Sequence, residues 1–93
     1  MVKVSRILEI PSVKILLFIY GKGEVRYADL TKIIASRGTL SANLKGLEKE
    51  ELIKRKVVTT KPIQSYYSLT EKGQEIARRL IEIKNVLSPK AHS

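Results

Sequence analysis

The sequence predicts an α+β domain, mainly α, in which a two-stranded hairpin separates three helices from a long C-terminal one. Three observations carry this. "SRGTLSANLKGLEKEEL" at 36–52 places Leu40, Leu44 and Leu47 at i, i+4 and i+7, the spacing of one buried helical stripe. "LIKRKVVTT" and "SYYSL" are rich in β-branched or aromatic residues and flank the proline-bearing turn "TTKPIQS". Beyond them Ile76, Leu80, Ile83 and Leu87 recur at intervals of 4, 3 and 4, which is helical again.

In chain order, residues 1–10, "MVKVSRILEI", form an N-terminal arm or extend the first helix. Pro11 suits a first helical turn, where its missing N–H costs nothing. Val13, Leu16, Leu17 and Tyr20 follow at helical spacing, and Ile15, Phe18 and Ile19 widen the stripe until Gly21 and Gly23 stop it. A helix apolar nearly all round belongs at the centre of the core. "EVRY" at 24–27 reads as a minimal strand, and "YADLTKII" at 27–34 as a short helix burying Tyr27, Leu30, Ile33 and Ile34. Ser36 then caps the third helix, its hydroxyl placed to accept from the N–H of Thr39. Mid-helix Gly46 costs about 0.5–1 kcal/mol relative to alanine, which suggests that something approaches the backbone there. In the hairpin, alternation sends Tyr67 to the core and Tyr66 to the surface. Thr70 caps the last helix, Glu71 complements its dipole, and Pro89 marks where it has ended. Glu75 with Arg79, and Arg78 with Glu82, are spaced to pair along its flank.

Composition narrows the function. The chain has 93 residues, which suits one domain, and 43% of them are apolar. No run approaches the roughly 18 apolar residues of a membrane span, and no small-residue cleavage site follows "VKILLFIYG". No membrane association and a cytoplasmic location are therefore expected. Cysteine is absent and His92 is the single histidine, which removes disulfides, thiolate zinc sites and thiol redox chemistry together. Neither paired carboxylates nor any nucleophile–base set points into a cleft, so no enzyme, cofactor or metal is expected. The largest signal is charge: 18 basic residues against 9 acidic, for a net +9. A polyanion partner follows, and nucleic acid is the commonest for a small basic domain.

Two short helices joined tightly and followed by a hairpin make a winged helix-turn-helix layout, with a two-stranded wing and a long C-terminal helix. The segments divide as 1–10 arm, 11–70 core, 71–88 dimerisation helix and 89–93 tail. The residues also resemble a family. "SRGTLSANLKGLEKEELIKRK" resembles the recognition helix and following strand of winged helix-turn-helix regulators, S-x-x-T-[LV]-S-x-x-L-K-x-L-E. "RKVVTTKPIQSYYSLTEKG" is similar to the wing of HxlR and MarR-like regulators, in which "YSLTEKG" and an upstream arginine recur. The resemblance covers about residues 13–81. It implies a DNA-binding transcriptional regulator with Arg37, Gly38, Ser41, Ala42 and Lys45 on the groove-facing surface, and with Lys61 and Gln64 at the wing tip. Gly38, Ala42 and Gln64 stand where longer polar side chains are common, and the cysteine of redox-sensing relatives is missing.

Residue chemistry leads the same way. With the leucines inward, steps of about 100° bring Ala42, Lys45 and Lys49 near the opposite side, flanked by Ser41. That is a slim, positive ridge of the kind a major groove admits. Between Arg37 and Gln64 there are seven basic residues and three acidic. Thr39 and Lys56 complete the candidate DNA-contacting set, while Arg55 is divided between touching DNA and pinning the hairpin. The Ile76, Leu80, Ile83 and Leu87 seam suggests a homodimer, or else packing on the first helix. The leading expectation is a homodimeric regulator that docks helix 36–50 in the major groove of double-stranded DNA, with the 59–65 wing on the minor groove or backbone. An architectural protein coating duplex DNA, or a winged-helix protein-interaction module, are the alternatives. Target sequence, effector and direction of regulation are not written in the residues.

Overall fold

The computed structural model describes residues 8–87. Most of the arm, and with it the tail, Pro89 and His92, lies outside them. The described chain runs α1 (Pro11–Lys22), β1 (Glu24–Arg26), α2 (Tyr27–Leu30), α3 (Arg37–Lys49), β2 (Ile53–Val58), β3 (Gln64–Leu69) and α4 (Glu71–Leu87). The three strands form one antiparallel sheet in the order β1-β3-β2. The two-stranded wing is thus widened at its base by β1, which pairs Val25 with Tyr67 and Arg26 with Tyr66.

Ile15 and Ile19 of α1, Leu30 of α2 and Leu40 of α3 are fully buried and make the centre of the core. Val25, Tyr67 and Leu69 close it from the inner face of the sheet. Pro11 stands at the first helical position, as expected. The helix does not stop at Gly21, however. It continues to Lys22 and ends where Gly23 takes φ 90°, its N–H donating to the Ile19 carbonyl at 2.6 Å. Glycine lowers helix propensity at both places, but only the second needs a positive φ, and that is what ends a helix.

The second helix is shorter than its apolar spacing predicts. Regular α-helix ends at Leu30, where Thr31 Oγ1 donates to the Ala28 carbonyl at 2.6 Å. The N–H groups of Lys32 and Ile33 then reach carbonyls only three residues back, those of Asp29 and Leu30. A tightened turn of this kind still keeps Ile34 buried. Apolar spacing reported which side chains go inside, not how the backbone carries them there.

α3 ends without a glycine. Leu52 N–H donates to the Leu47 carbonyl and Glu51 N–H to that of Glu48, both at 2.9 Å, with Glu51 at φ 61°. This is a Schellman closure whose left-handed position is filled by glutamate. A side chain there costs about 1 kcal/mol or more, partly offset by the entropy glycine loses on folding. Glu51→Gly is therefore expected to stabilise the protein by roughly 0.5–1 kcal/mol, seen as a rise in the thermal midpoint. An unchanged or lower midpoint would show that Glu51 is held by something more than backbone closure.

The same corner anchors α4. Thr70 Oγ1 donates to the Glu51 carbonyl at 2.6 Å and accepts from Gly73 N–H at 3.0 Å, so one hydroxyl caps α4 and ties it to the end of α3. Lys72 Nζ donates to the Glu50 carbonyl at 3.2 Å, placing a cation at the negative end of the α3 dipole. Gly73 is buried against the backbone of Leu52. The "YSLTEKG" segment is thus a clamp between two helices. Along α4, Glu75 takes both Arg78 and Arg79, and Glu82 lies 3.8 Å from Arg79. The expected Arg78–Glu82 pair does not form, because Arg78 turns back toward the helix N-terminus.

Candidate nucleic-acid interface

The front of α3 is set by its back. Leu40, Leu44 and Leu47 are buried, which turns Gly38, Ala42, Lys45 and Lys49 outward. Ser36 caps the helix as predicted, accepting from Thr39 N–H at 3.2 Å. Arg37, Gly38 and Thr39 are exposed in the first turn, where unpaired N–H groups and the positive dipole end favour an anion. Arg37, Lys45, Lys49 and Lys61 have no carboxylate within ion-pair distance among the described residues. Their charge is left to solvent or to a partner.

Ser41 is half-buried at the edge of this ridge, its Oγ 3.4 Å from the Tyr27 hydroxyl. Tyr27 opens α2, so this contact links α3 to the helix before it. Gly46 meets nothing within 4 Å, so the close approach its mid-helix position suggested is not made by the described residues. It borders an open hollow between α3 and α1 with Ser12, Leu16, Ala42 and Glu50.

The wing divides the remaining candidates. Lys61 is exposed at the turn and lies beyond the last ladder pair, Val58 with Gln64. Gln64 is engaged: its Oε1 accepts from the Tyr66 hydroxyl at 2.7 Å. Lys56 lies 3.5 Å from Glu24 and 5.5 Å from the centre of the Tyr66 ring on the outer face of the sheet, and its side chain stays 64% exposed. Arg37, Gly38, Thr39, Ser41, Ala42, Lys45 and Lys49 therefore share one helix, Lys61 stands alone at the tip, and Lys56 and Gln64 are tied to the wing itself. Arg55 stands opposite Tyr67 in the ladder. Burial pushes the Tyr67 phenol above its ordinary range, and the neighbouring Arg55 guanidinium works against that shift. Arg55 is exposed and makes no ion pair among the described residues.

Sequence reasoning missed Arg26. It ends β1 beside Tyr66, is exposed, and borders a cleft between the start of α2 and the wing with Tyr27, Ala28, Ile63, Gln64 and Ser65. Its guanidinium makes no ion pair among the described residues, although its backbone N–H donates to Asp29 Oδ2 at 3.0 Å. The signal that could have found it is the pairing of "EVRY" with "SYYSL", which a three-residue strand declares too faintly. Among the described residues no cluster of His, Cys, Asp or Glu could hold a metal ion, and no helix is long and apolar enough to cross a membrane.

This geometry is shared with known proteins. The model of the HxlR-like helix-turn-helix family matches residues 12–91. YvaP of Bacillus subtilis strain 168, an uncharacterized HTH-type transcriptional regulator, is 36% identical over 73 residues, covering 76% of this chain and 68% of its own. A transcriptional regulator homologue from Pyrococcus horikoshii OT3 superposes with a TM-score of 0.73 at 25% identity, over 92% of this chain and 89% of that one. A structure from Porphyromonas gingivalis W83 assigned to the MarR family does so at 0.66 and 30% identity, over 88% and 85%.

Proposed function

The chain belongs to the HxlR-like helix-turn-helix family of DNA-binding transcriptional regulators, and we propose that it works as a homodimer with α3 in the major groove of duplex DNA. The observation that carries the groove assignment is the unpaired, exposed Lys45–Lys49 ridge opposite the leucine back of α3. In this reading Lys45 reaches a base edge, while Arg37, Lys49 and Lys61 bind phosphates and fix the register. The wing over 59–65 lies along the minor groove, and α4 joins two copies through Ile83 and Leu87, with Ile76 and Leu80 behind them. A twofold dimer would set its two recognition helices roughly 34 Å apart and favour a palindromic site. Cytoplasmic action without cofactor or catalysis fits the same reading.

An architectural role draws support from Gly38 and Ala42, which leave few side chains on the ridge long enough to read bases. A protein-interaction role predicts an apolar outer face on α3 and has less support, since that face carries two lysines. The test is a fluorescence-anisotropy titration of a random duplex, alone and in competition with DNA from the protein's own upstream region, across a salt series. A regulator should show steep salt dependence and prefer its own site by about 10³ or more. Equal affinity for all duplexes would favour the architectural role, and no binding at low salt would overturn both. Within this assay Lys45→Ala is expected to lower site-specific affinity about tenfold and narrow the preference for that site. Uniform weakening on every sequence would reassign Lys45 to a phosphate.

A further inference from the structure

The wing tip offers DNA an exposed apolar side chain. β1 ends at the Arg26–Tyr66 pair and the hairpin ladder at Val58–Gln64, so residues 59–63 overhang the sheet. On that overhang Ile63 is 70% exposed. Single exposed apolar residues are ordinary on a protein surface. What sets Ile63 apart is its surroundings. Gln64, next to it, is held back by the Tyr66 hydroxyl, and Lys56 is held by Glu24 and Tyr66. The overhang also exposes Thr59, Thr60, Lys61 and Pro62, and Arg26 lines the cleft with Ile63. An aliphatic point beside two unpaired cations has the chemistry of a wedge: the cations meet phosphates on either side of a groove while the apolar group enters between bases.

We propose that Ile63, backed by Pro62, inserts at a base step in the minor groove and bends the DNA, with Arg26 and Lys61 on the flanking phosphates. Apolar wedges of this kind partly unstack one step and kink the duplex by roughly 20–90°. Specificity then comes from how easily a step deforms, which pyrimidine–purine steps such as TA do most readily. This accounts for a slim α3 ridge: part of the selection is moved from base edges to DNA shape.

The proposal rests on the DNA-binding reading above, and the experiment separates the two. A duplex of about 30 base pairs from the upstream region, labelled at both ends, reports bending by energy transfer and binding by anisotropy in one titration. The parent should shorten the end-to-end distance on binding. Ile63→Ala should lose most of that shortening and bind about tenfold more weakly, with the same salt slope, because its phosphate contacts remain. Ile63→Leu should restore both, and all three proteins should melt alike, since residue 63 lies outside the ladder. Binding by the parent without bending, or equal bending by Ile63→Ala, overturns the wedge while leaving DNA binding intact. No binding by the parent at low salt overturns the DNA-binding reading and the wedge together.

Discussion

Gly73→Ala is expected to destabilise the fold by about 3 kcal/mol, which lowers the melting temperature of a domain this size by roughly 12–24 °C. A Cβ built on Gly73 would lie 1.9 Å from the Leu52 carbonyl oxygen and 2.9 Å from its carbonyl carbon. Those are backbone atoms and cannot swing aside. They are also held: the Leu52 carbonyl accepts from Thr70 N–H at 3.1 Å, and Leu52 N–H closes α3 on the Leu47 carbonyl. Relief therefore requires α4 to lift from the end of α3, breaking the Thr70 and Lys72 contacts together. Gly46→Ala supplies the contrast. Nothing lies within 4 Å of that position, so the same added methyl should stabilise by about 0.5–1 kcal/mol. Thermal melts followed by circular dichroism would test the pair. A small effect at Gly73 would mean that α4 is not seated against Leu52 as described.

The contrast also shows what the sequence could and could not say about the fold. Side-chain periodicity revealed α1, α3, the hairpin and α4, because each buries a stripe wide enough to repeat. It could not distinguish Gly46 from Gly73, since both are helical glycines and the difference lies in a carbonyl about twenty positions away. It did end α3 within a residue, at 50 against Lys49, through the change of period and not through a glycine, since Glu51 takes the left-handed position that glycine normally announces. The second helix was overextended for a related reason: Ile33 and Ile34 keep a helical spacing through a turn in which Lys32 and Ile33 bond three residues back and Ile34 alone reaches four back, to Leu30. Local pattern records burial; closures and close approaches depend on partners distant in the chain.

The candidate site followed the same division. The α3 front was legible because a helix fixes which side chains oppose a buried stripe, and Lys45 and Lys49 are exposed as that geometry requires. The wing was less so. Lys56 and Gln64 looked free in the sequence, and each is taken up by a cross-strand or same-strand neighbour, Glu24 or Tyr66. Arg26 and Ile63 had no motif to mark them, and only the overhang of the hairpin beyond β1 brings them to one cleft.

The proposed homodimer makes the second large prediction: Ile83→Glu should yield monomers by sedimentation, with a thermal midpoint close to that of the parent at equal concentration below the dimer's dissociation constant. The choice among the four seam residues follows from their surroundings. Ile76 and Leu80 pack partly against the core, so a charge at either would unsettle the fold as well as an interface. Ile83 and Leu87 lie past the last buried residue of α4, Ala77, and neighbouring Val86 is 77% exposed. A glutamate at 83 would be solvated in a monomer but buried without a partner across a twofold seam, which costs several kcal/mol and is enough to separate the subunits. DNA binding should follow. A monomer engages one half-site, so the slope of log affinity against log salt should fall by about half, and affinity for a palindromic site by roughly 10² or more. The two readouts are independent, because Ile83 is far along α4 from the Lys45 ridge and its loss removes no phosphate contact from a single subunit. An unchanged dimer mass would remove this seam from the interface. A monomer that binds with the parent's full salt slope would show instead that one subunit covers the site alone, and the palindrome would have to be abandoned with it.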